Sequence, residues 1–224
     1  MIRNGKENGI VHIGTNDILE FLKKDFILVF KNSILLAILY LCCIPVIRGI
    51  ENLNSLQSAQ CLEQSVSVIG IILMVPLTKW EHDAGIKDLI VSKTWSYMRT
   101  VIIRILFSVC LIVMMTMGFV VIMKINNCSL KFWYYILGSS LVSIFMGNLG
   151  LLFSQISGNV IGGYLAALGY HSLSKLNILS EGEMSYLFPL SYGETGNAAI
   201  VILLAVNVAL FLMFFRITRN RKTL

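Results

Sequence analysis

The residues able to do chemistry in this chain are few and widely separated. Of the three histidines, His12 and His82 fall in polar stretches and His171 falls inside an apolar one. An ionisable side chain in an apolar stretch is a functional candidate by default. No second ionisable group can be assigned beside it, so a histidine hydrogen-bonded to a neighbouring helix is the simpler expectation, and a working role for His171 stays open. The five cysteines form neither a CxxC pair nor a His/Cys cluster, which leaves metal binding without support. Cys42, Cys43 and Cys110 sit in apolar runs, where cysteine behaves as a small apolar residue. Cys61 and Cys128 are expected near one face of the protein, and a bridge between them is conceivable although no spacing pattern asks for it. The Gly5-Lys6 pair lacks the upstream glycine and the following Ser or Thr of a phosphate-binding loop, and neither GxSxG nor HExxH occurs. The chain is therefore expected to be no enzyme, with no catalytic residue, metal or cofactor of its own.

Composition says what must position these residues. The 224 residues are 56% hydrophobic and 13% charged, with a mean hydropathy of +0.78, whereas about a quarter of a soluble domain is charged. A spanning helix needs about 20 mostly apolar residues, and six windows qualify: 33–50, 63–78, 101–123, 132–153, 157–176 and 197–215. The expected fold is all-α, a polytopic integral membrane protein of six transmembrane helices forming one domain over residues 1–224. No signal-peptide pattern precedes the first window. Read with these bounds, the span interiors hold no acid, which argues against a proton-coupled carrier.

Six spans place both termini on one side. The N-terminal segment, the 79–104 connection and the tail from Arg216 carry 14 of the 18 Lys and Arg, while the other face carries Arg48, Lys124, Lys131 and Lys175. Acids divide seven to five, so the net charges are +7 and −1. Positive residues stay in the cytoplasm, which puts both termini there, in a cell membrane that is expected to be bacterial. The net charge of +6 then marks orientation, and a nucleic-acid partner is not expected.

Two charged segments flank the spans. Residues 15–31 begin with Thr15 or Asn16 as a helix cap and carry Ile18, Leu22, Phe26, Val29 and Phe30 at helical spacing beside Lys23, Lys24 and Lys31. This stripe is expected to lie along the inner membrane surface against lipid, the alternative being an extension of the first span. Residues 80–92 place Glu81 and Asp83 early and Lys87 late, as a helix dipole favours. Ile86, Leu89 and Ile90 make an apolar face at i, i+3, i+4. A short amphipathic helix is expected, with a solvated charged loop as the alternative.

This second segment resembles the cytoplasmic loop of the type-2 permease family of ATP-binding-cassette (ABC) exporters, in which an acidic start leads to a glycine, an acid and a Leu-rich run. The matching residues are Glu81, Gly85, Asp88 and Leu89-Ile90-Val91-Ser92, and Arg104 matches a basic residue early in the third span. The proline that often follows the Leu-rich run is replaced by Lys93-Thr94-Trp95. The resemblance implies a transmembrane permease subunit, with residues 80–92 as the coupling helix that docks on a separate ABC ATPase subunit. Glu81, Asp83, Gly85, Ile86, Lys87, Asp88, Leu89 and Ile90 would then make the contact. ATP and Mg would belong to that partner, and a second permease subunit, identical or different, would complete the path. The implied cargo is a peptide, an amphiphilic drug-like molecule or a lipid-type molecule, with bacterial peptide export or self-immunity as the sharper expectation. The alternative is a non-transporting membrane immunity or assembly factor.

The 177–196 segment carries Glu181, Glu183 and Glu194 among Tyr186, Phe188 and Tyr192. Under the resemblance, Glu181, Glu183, Tyr186, Phe188 and Tyr192 would form an outer gate or contact cargo, whereas an interfacial aromatic belt with solvated acids accounts for them equally well. Gly158 and Gly162 form a GxxxG pair expected to bring the fourth and fifth helices together, with Gly147, Gly150 and Gly163 nearby. Asn148, Gln155 and Asn159 are expected to tie the short turn between those helices. Pro45 and Pro76 should kink the first and second spans.

Overall fold

The computed structural model describes residues 15–81, 97–176 and 197–220. The described residues are helical, with no strand among them. Helix α1 is Thr15–Arg48. The second passage is composite: α2 (Ser55–Cys61), a π-helical turn (Leu62–Val66), α3 (Val68–Met74) and a 3-10 turn (Val75–Glu81). Then come α4 (Tyr97–Ile125), α5 (Phe132–Ser157), α6 (Val160–Lys175) and α7 (Asn197–Asn220).

Among the described residues, five stretches are long and apolar enough to cross a membrane: Phe30–Arg48, Ser55–Thr78, Thr100–Ile125, Phe132–Ser157 and Ile200–Arg219. The chain is thus an all-helical, membrane-embedded protein. The expected fifth window differs. Its helix α6 has 16 residues, about 24 Å at the α-helical rise, against a hydrocarbon core of about 30 Å. A left-handed Gly158 (φ 67°) ends α5 and Asn159 caps α6 by accepting from Ile161 N at 3.0 Å, so turn chemistry consumes the start of that window.

Residues 15–31 and the first span form one α-helix with no turn between them, where a separate surface-lying element was expected. At 34 residues the helix is about 51 Å long and outruns the hydrocarbon core. Pro45 lies within it and the helix continues past. Gly49 (φ 68°) ends it, its N–H donating to Pro45 O at 3.0 Å, the left-handed stop that glycine adopts without strain. The second passage starts eight residues earlier than hydropathy suggests, at Ser55.

The centre of the bundle is the second passage packed on α5. In each of these, 78% of the apolar stretch is buried, against 22%, 33% and 11% for the stretches of α1, α4 and α7. Those three helices therefore form the rim, and turn large apolar side chains such as Leu35, Val46, Met114 and Leu212 outward. The central approach is close because small residues line it. A Cβ added to Gly70 would run into the Ser143 carbonyl, one on Gly147 would meet Gly70 O at 2.8 Å, and one on Gly163 would run into the Gly150 carbonyl. The expected GxxxG pair does not make this contact. Gly158 is the cap just described, and a Cβ on Gly162 would run into the side chain of Ser157, the last residue of α5, beside the turn that joins the two helices. Gly70, Gly147, Gly150 and Gly163 do the packing, because they alternate across the facing surfaces of three helices.

Polar ties complete the bundle. Thr78 Oγ1 and Ser154 Oγ lie 2.6 Å apart near the end where the second passage and α5 finish. Asn148, expected in the turn, instead reaches α7: its Nδ2 donates to Asn207 Oδ1 at 2.9 Å, and Asn207 Nδ2 donates back to Leu141 O at 3.2 Å. Gln155 Oε1 is buried without a hydrogen-bond partner among the described residues. With so little of α7 buried, the Asn pair is its main specific anchor. Asn207→Leu leaves the Asn148 amide orphaned, and is expected to lower stability by about 1–2 kcal/mol, read as a drop in melting temperature of the detergent-solubilised protein.

At the opposite end, the 49–54 and 126–131 turns are stitched together. Asn52 N donates to Asn126 O at 3.0 Å and Ser129 N to Leu53 O at 2.9 Å. Arg48, Lys124 and Lys131 therefore share one end of the bundle, as the charge division requires. Cys61 and Cys128 are both free, with the Cys128 thiol donating to Ile50 O at 3.0 Å.

Candidate functional site

The winding of the second passage changes at Leu62–Val66, where the i→i+5 pattern replaces the α-helical one. Such turns leave backbone groups to be satisfied from outside the helix, and they recur at functional sites. Here two neighbouring helices supply the partners. Tyr40 Oη on α1 donates to Ser65 O at 2.9 Å. On α6, His171 Nε2 lies 2.9 Å from Gln64 O; a carbonyl only accepts, so Nε2 carries the proton. Arg48 Nη2 donates to Gln64 Oε1 at 2.7 Å. Two helices, α1 and α6, thus converge on two consecutive residues.

Inside this cluster sits Glu63, with no exposed surface. It is the acid that hydropathy windows place at the edge of a span. Because the helix begins at Ser55, Glu63 lies about 12 Å along it. The expectation of acid-free spans is thereby overturned. A second buried ionisable residue, Arg104 on α4, is 7% exposed; its carbonyl accepts from Ser108 Oγ at 3.0 Å. Intramembrane charges of this kind are expensive and mark working parts of membrane proteins.

No group of three His, Cys, Asp or Glu able to hold a metal occurs among the described residues. The bonds from Tyr40, Arg48 and His171 join α1 and α6 to an irregular turn of the central passage. The hydrogen-bonded His171 meets the simpler of its two expectations. Glu63, Gln64, Tyr40 and Arg48 were not singled out beforehand; the available signal was a run of polar residues, Glu63 to Ser67, inside what is still a helix.

Of the other expected site residues, Glu81 ends the 3-10 turn, while Asp83, Gly85, Ile86, Lys87, Asp88, Leu89 and Ile90 lie outside the described residues, as do Glu181, Glu183, Tyr186, Phe188 and Tyr192. Searches against family models, curated proteins and solved structures find no match to this chain. The functional reading therefore stands on its own residues.

Proposed function

We propose that this chain is the transmembrane permease subunit of an ATP-driven ABC exporter. The observation that carries the reading is the charged segment Glu81 to Ser92, with its Gly85, Asp88 and Leu89-Ile90 pattern. In sequence it joins the second passage, one of the two deeply buried ones, to α4. A motor pulling on that segment would act on the central helix, whose π turn and Pro76-containing 3-10 turn are places where winding can change without losing the helix.

In this reading residues 157–176, with α6, provide a further passage to make six, both termini are cytoplasmic in a bacterial cell membrane, and residues 80–92 are the coupling helix. Ile86, Leu89 and Ile90 fill an apolar cleft on a separate ATPase, and Glu81, Asp83, Lys87 and Asp88 pair at its rim. ATP and Mg bind that partner. The cargo path lies between this chain and a second permease, the cargo being a peptide, an amphiphile or a lipid-type molecule. Glu181, Glu183, Tyr186, Phe188 and Tyr192 stand at its outer mouth. Export of a membrane-active peptide, and resistance to it, is the sharper form.

The test is co-purification. An ABC ATPase should accompany the wild-type chain, and Leu89→Asp or Gly85→Pro should remove it, with ATP-dependent export, while the variants still insert in the membrane. If both variants keep the ATPase, the coupling assignment fails, and a membrane immunity or assembly factor becomes the better reading.

A further inference from the structure

Val75, Gly150 and Gly163 mark the place where the second passage, α5 and α6 meet. A Cβ added to Gly150 would run into Val75 Cγ2, and one added to Gly163 would lie 3.2 Å from Val75 Cγ1. From there toward the end that gathers Arg48, Lys124 and Lys131, Gln64 stands eleven residues before Val75, Ser139 eleven before Gly150 and Ser174 eleven after Gly163. Eleven residues make three helical turns and about 16 Å, so Ser139 and Ser174 keep the faces of Gly150 and Gly163 and stand level with the π turn. The bond between His171 and Gln64 O fixes that level independently. Ser67 stands eleven residues before Thr78, on the face where Thr78 meets Ser154 of α5. Glu63 lies one turn beyond Ser67 on the same side.

Three helices therefore bring Glu63, Ser67, Ser139 and Ser174 to one interior junction, and each of the four is 0% exposed. Other buried hydroxyls of the bundle turn back on their own helix. Ser108 Oγ donates to Arg104 O at 3.0 Å, Thr116 Oγ1 to Ile112 O at 2.8 Å and Ser143 Oγ to Ser139 O at 2.9 Å. Ser67 Oγ and Ser139 Oγ do not, and neither has a hydrogen-bond partner among the described residues. A dry, unpaired hydroxyl is costly inside a bilayer. Two of them, on facing helices beside a buried carboxylate, present oxygen lone pairs to one space.

We propose that this junction binds a dehydrated sodium ion, held by the Glu63 carboxylate and the hydroxyl oxygens of Ser67 and Ser139. Hard cations take oxygen ligands, and interrupted winding within membrane helices is where such ions are held. Charge selects the valence: one carboxylate among neutral hydroxyls balances one positive charge, whereas a divalent ion calls for more anionic ligands. Arg48 is no rival for the site. It is exposed and held by Gln64 Oε1 at 2.7 Å on the α1 side of the turn, where solvent screens it. The ion braces the π turn against α5, as Tyr40 and His171 brace it against α1 and α6. The site is independent of the export reading, since it uses neither the coupling segment nor a cargo.

The test is thermal unfolding of the full chain in a nonionic detergent, titrated with NaCl against choline chloride at constant ionic strength, together with binding of radioactive sodium to the same protein. The wild type should gain about 3–5 °C in melting temperature at saturating sodium and retain one ion per chain. Ser67→Ala and Ser139→Ala should each raise the sodium concentration of half effect about tenfold, and Glu63→Gln should abolish the effect. Thr116→Ala, which removes a buried hydroxyl bonded within α4, should titrate as the wild type does. Equal melting in the two salts with no sodium retained would overturn the proposal and assign the hydroxyls to a buried water. A sodium titration unchanged by both serine variants would also overturn it, by placing the ion elsewhere. The serine variants decide the matter should Glu63→Gln fail to fold.

Discussion

Gly70→Val is expected to cost about 3 kcal/mol or more and to remove most of the monodisperse protein recovered in detergent. The added side chain would have to enter the space of the Ser143 carbonyl, which belongs to the backbone of α5 and cannot swing aside as a side-chain tip would. Overpacking a tight core generally costs about 1–3 kcal/mol, and this position lies at the upper end because helix axes must separate. That separation would propagate, since the same approach leaves no room at Gly147, where an added Cβ would meet Gly70 O at 2.8 Å and Met74 Cγ at 2.9 Å. The contrast is Gly118→Val, at an exposed position of α4 where an added Cβ meets nothing within 4 Å, which should change stability by no more than the scatter of ordinary surface changes, about 0.5 kcal/mol. Equal behaviour of the two variants would mean that the Gly70 contact is not what holds the second passage to α5.

His171→Leu is expected to destabilise the protein by about 2 kcal/mol, while His171→Gln, which keeps an N–H donor, recovers at least half of that. The leucine fills similar space but orphans the Gln64 carbonyl, and an unsatisfied buried acceptor costs about 1–3 kcal/mol. Within a bilayer water does not replace the lost donor. Tyr40→Phe removes the neighbouring bond to Ser65 O and should cost about 1 kcal/mol. Because the two carbonyls belong to one turn, the double variant should depart from additivity by more than about 0.5 kcal/mol. Urea or thermal unfolding of the four proteins in one detergent measures this. Simple addition, together with a neutral His171→Leu, would show that the π turn is held without its neighbours.

The two halves of this protein differ in how plainly they can be read. Rim helices were legible because they face lipid: Thr100–Ile125 and Ile200–Arg219 carry mean hydropathies of 2.8 and 2.6, and windows of apolar residues find them. The second passage, at 1.7, was clipped at Glu63, because the polar residues from Ser55 to Ser67 read as a connection. Protein surrounds that passage, so polar groups on it such as Gln64 and the Ser65 carbonyl find partners on neighbouring helices instead of being excluded by lipid. Tyr135 Oη, for example, donates to Ser55 O at 3.1 Å. Hydropathy measures the cost of meeting lipid, and it undercounts helices that meet other helices.

By itself the sequence determined that this is a helical membrane protein and that Arg48, Lys124 and Lys131 gather at one end of the bundle. Those features depend on local composition: apolar length and basic residues between spans. Only the tertiary structure decided that Glu63 is buried, that His171 and Tyr40 satisfy the carbonyls of a π turn 107 and 25 residues away in sequence, and that Gly70, Gly147, Gly150 and Gly163 make the close contacts at the centre of the bundle, while Gly158 caps α5 and Gly162 meets Ser157 at the end of α5. Each of these depends on which faces of which helices meet. A glycine or a buried acid reads the same in a string of letters whether a carbonyl lies against it or lipid does.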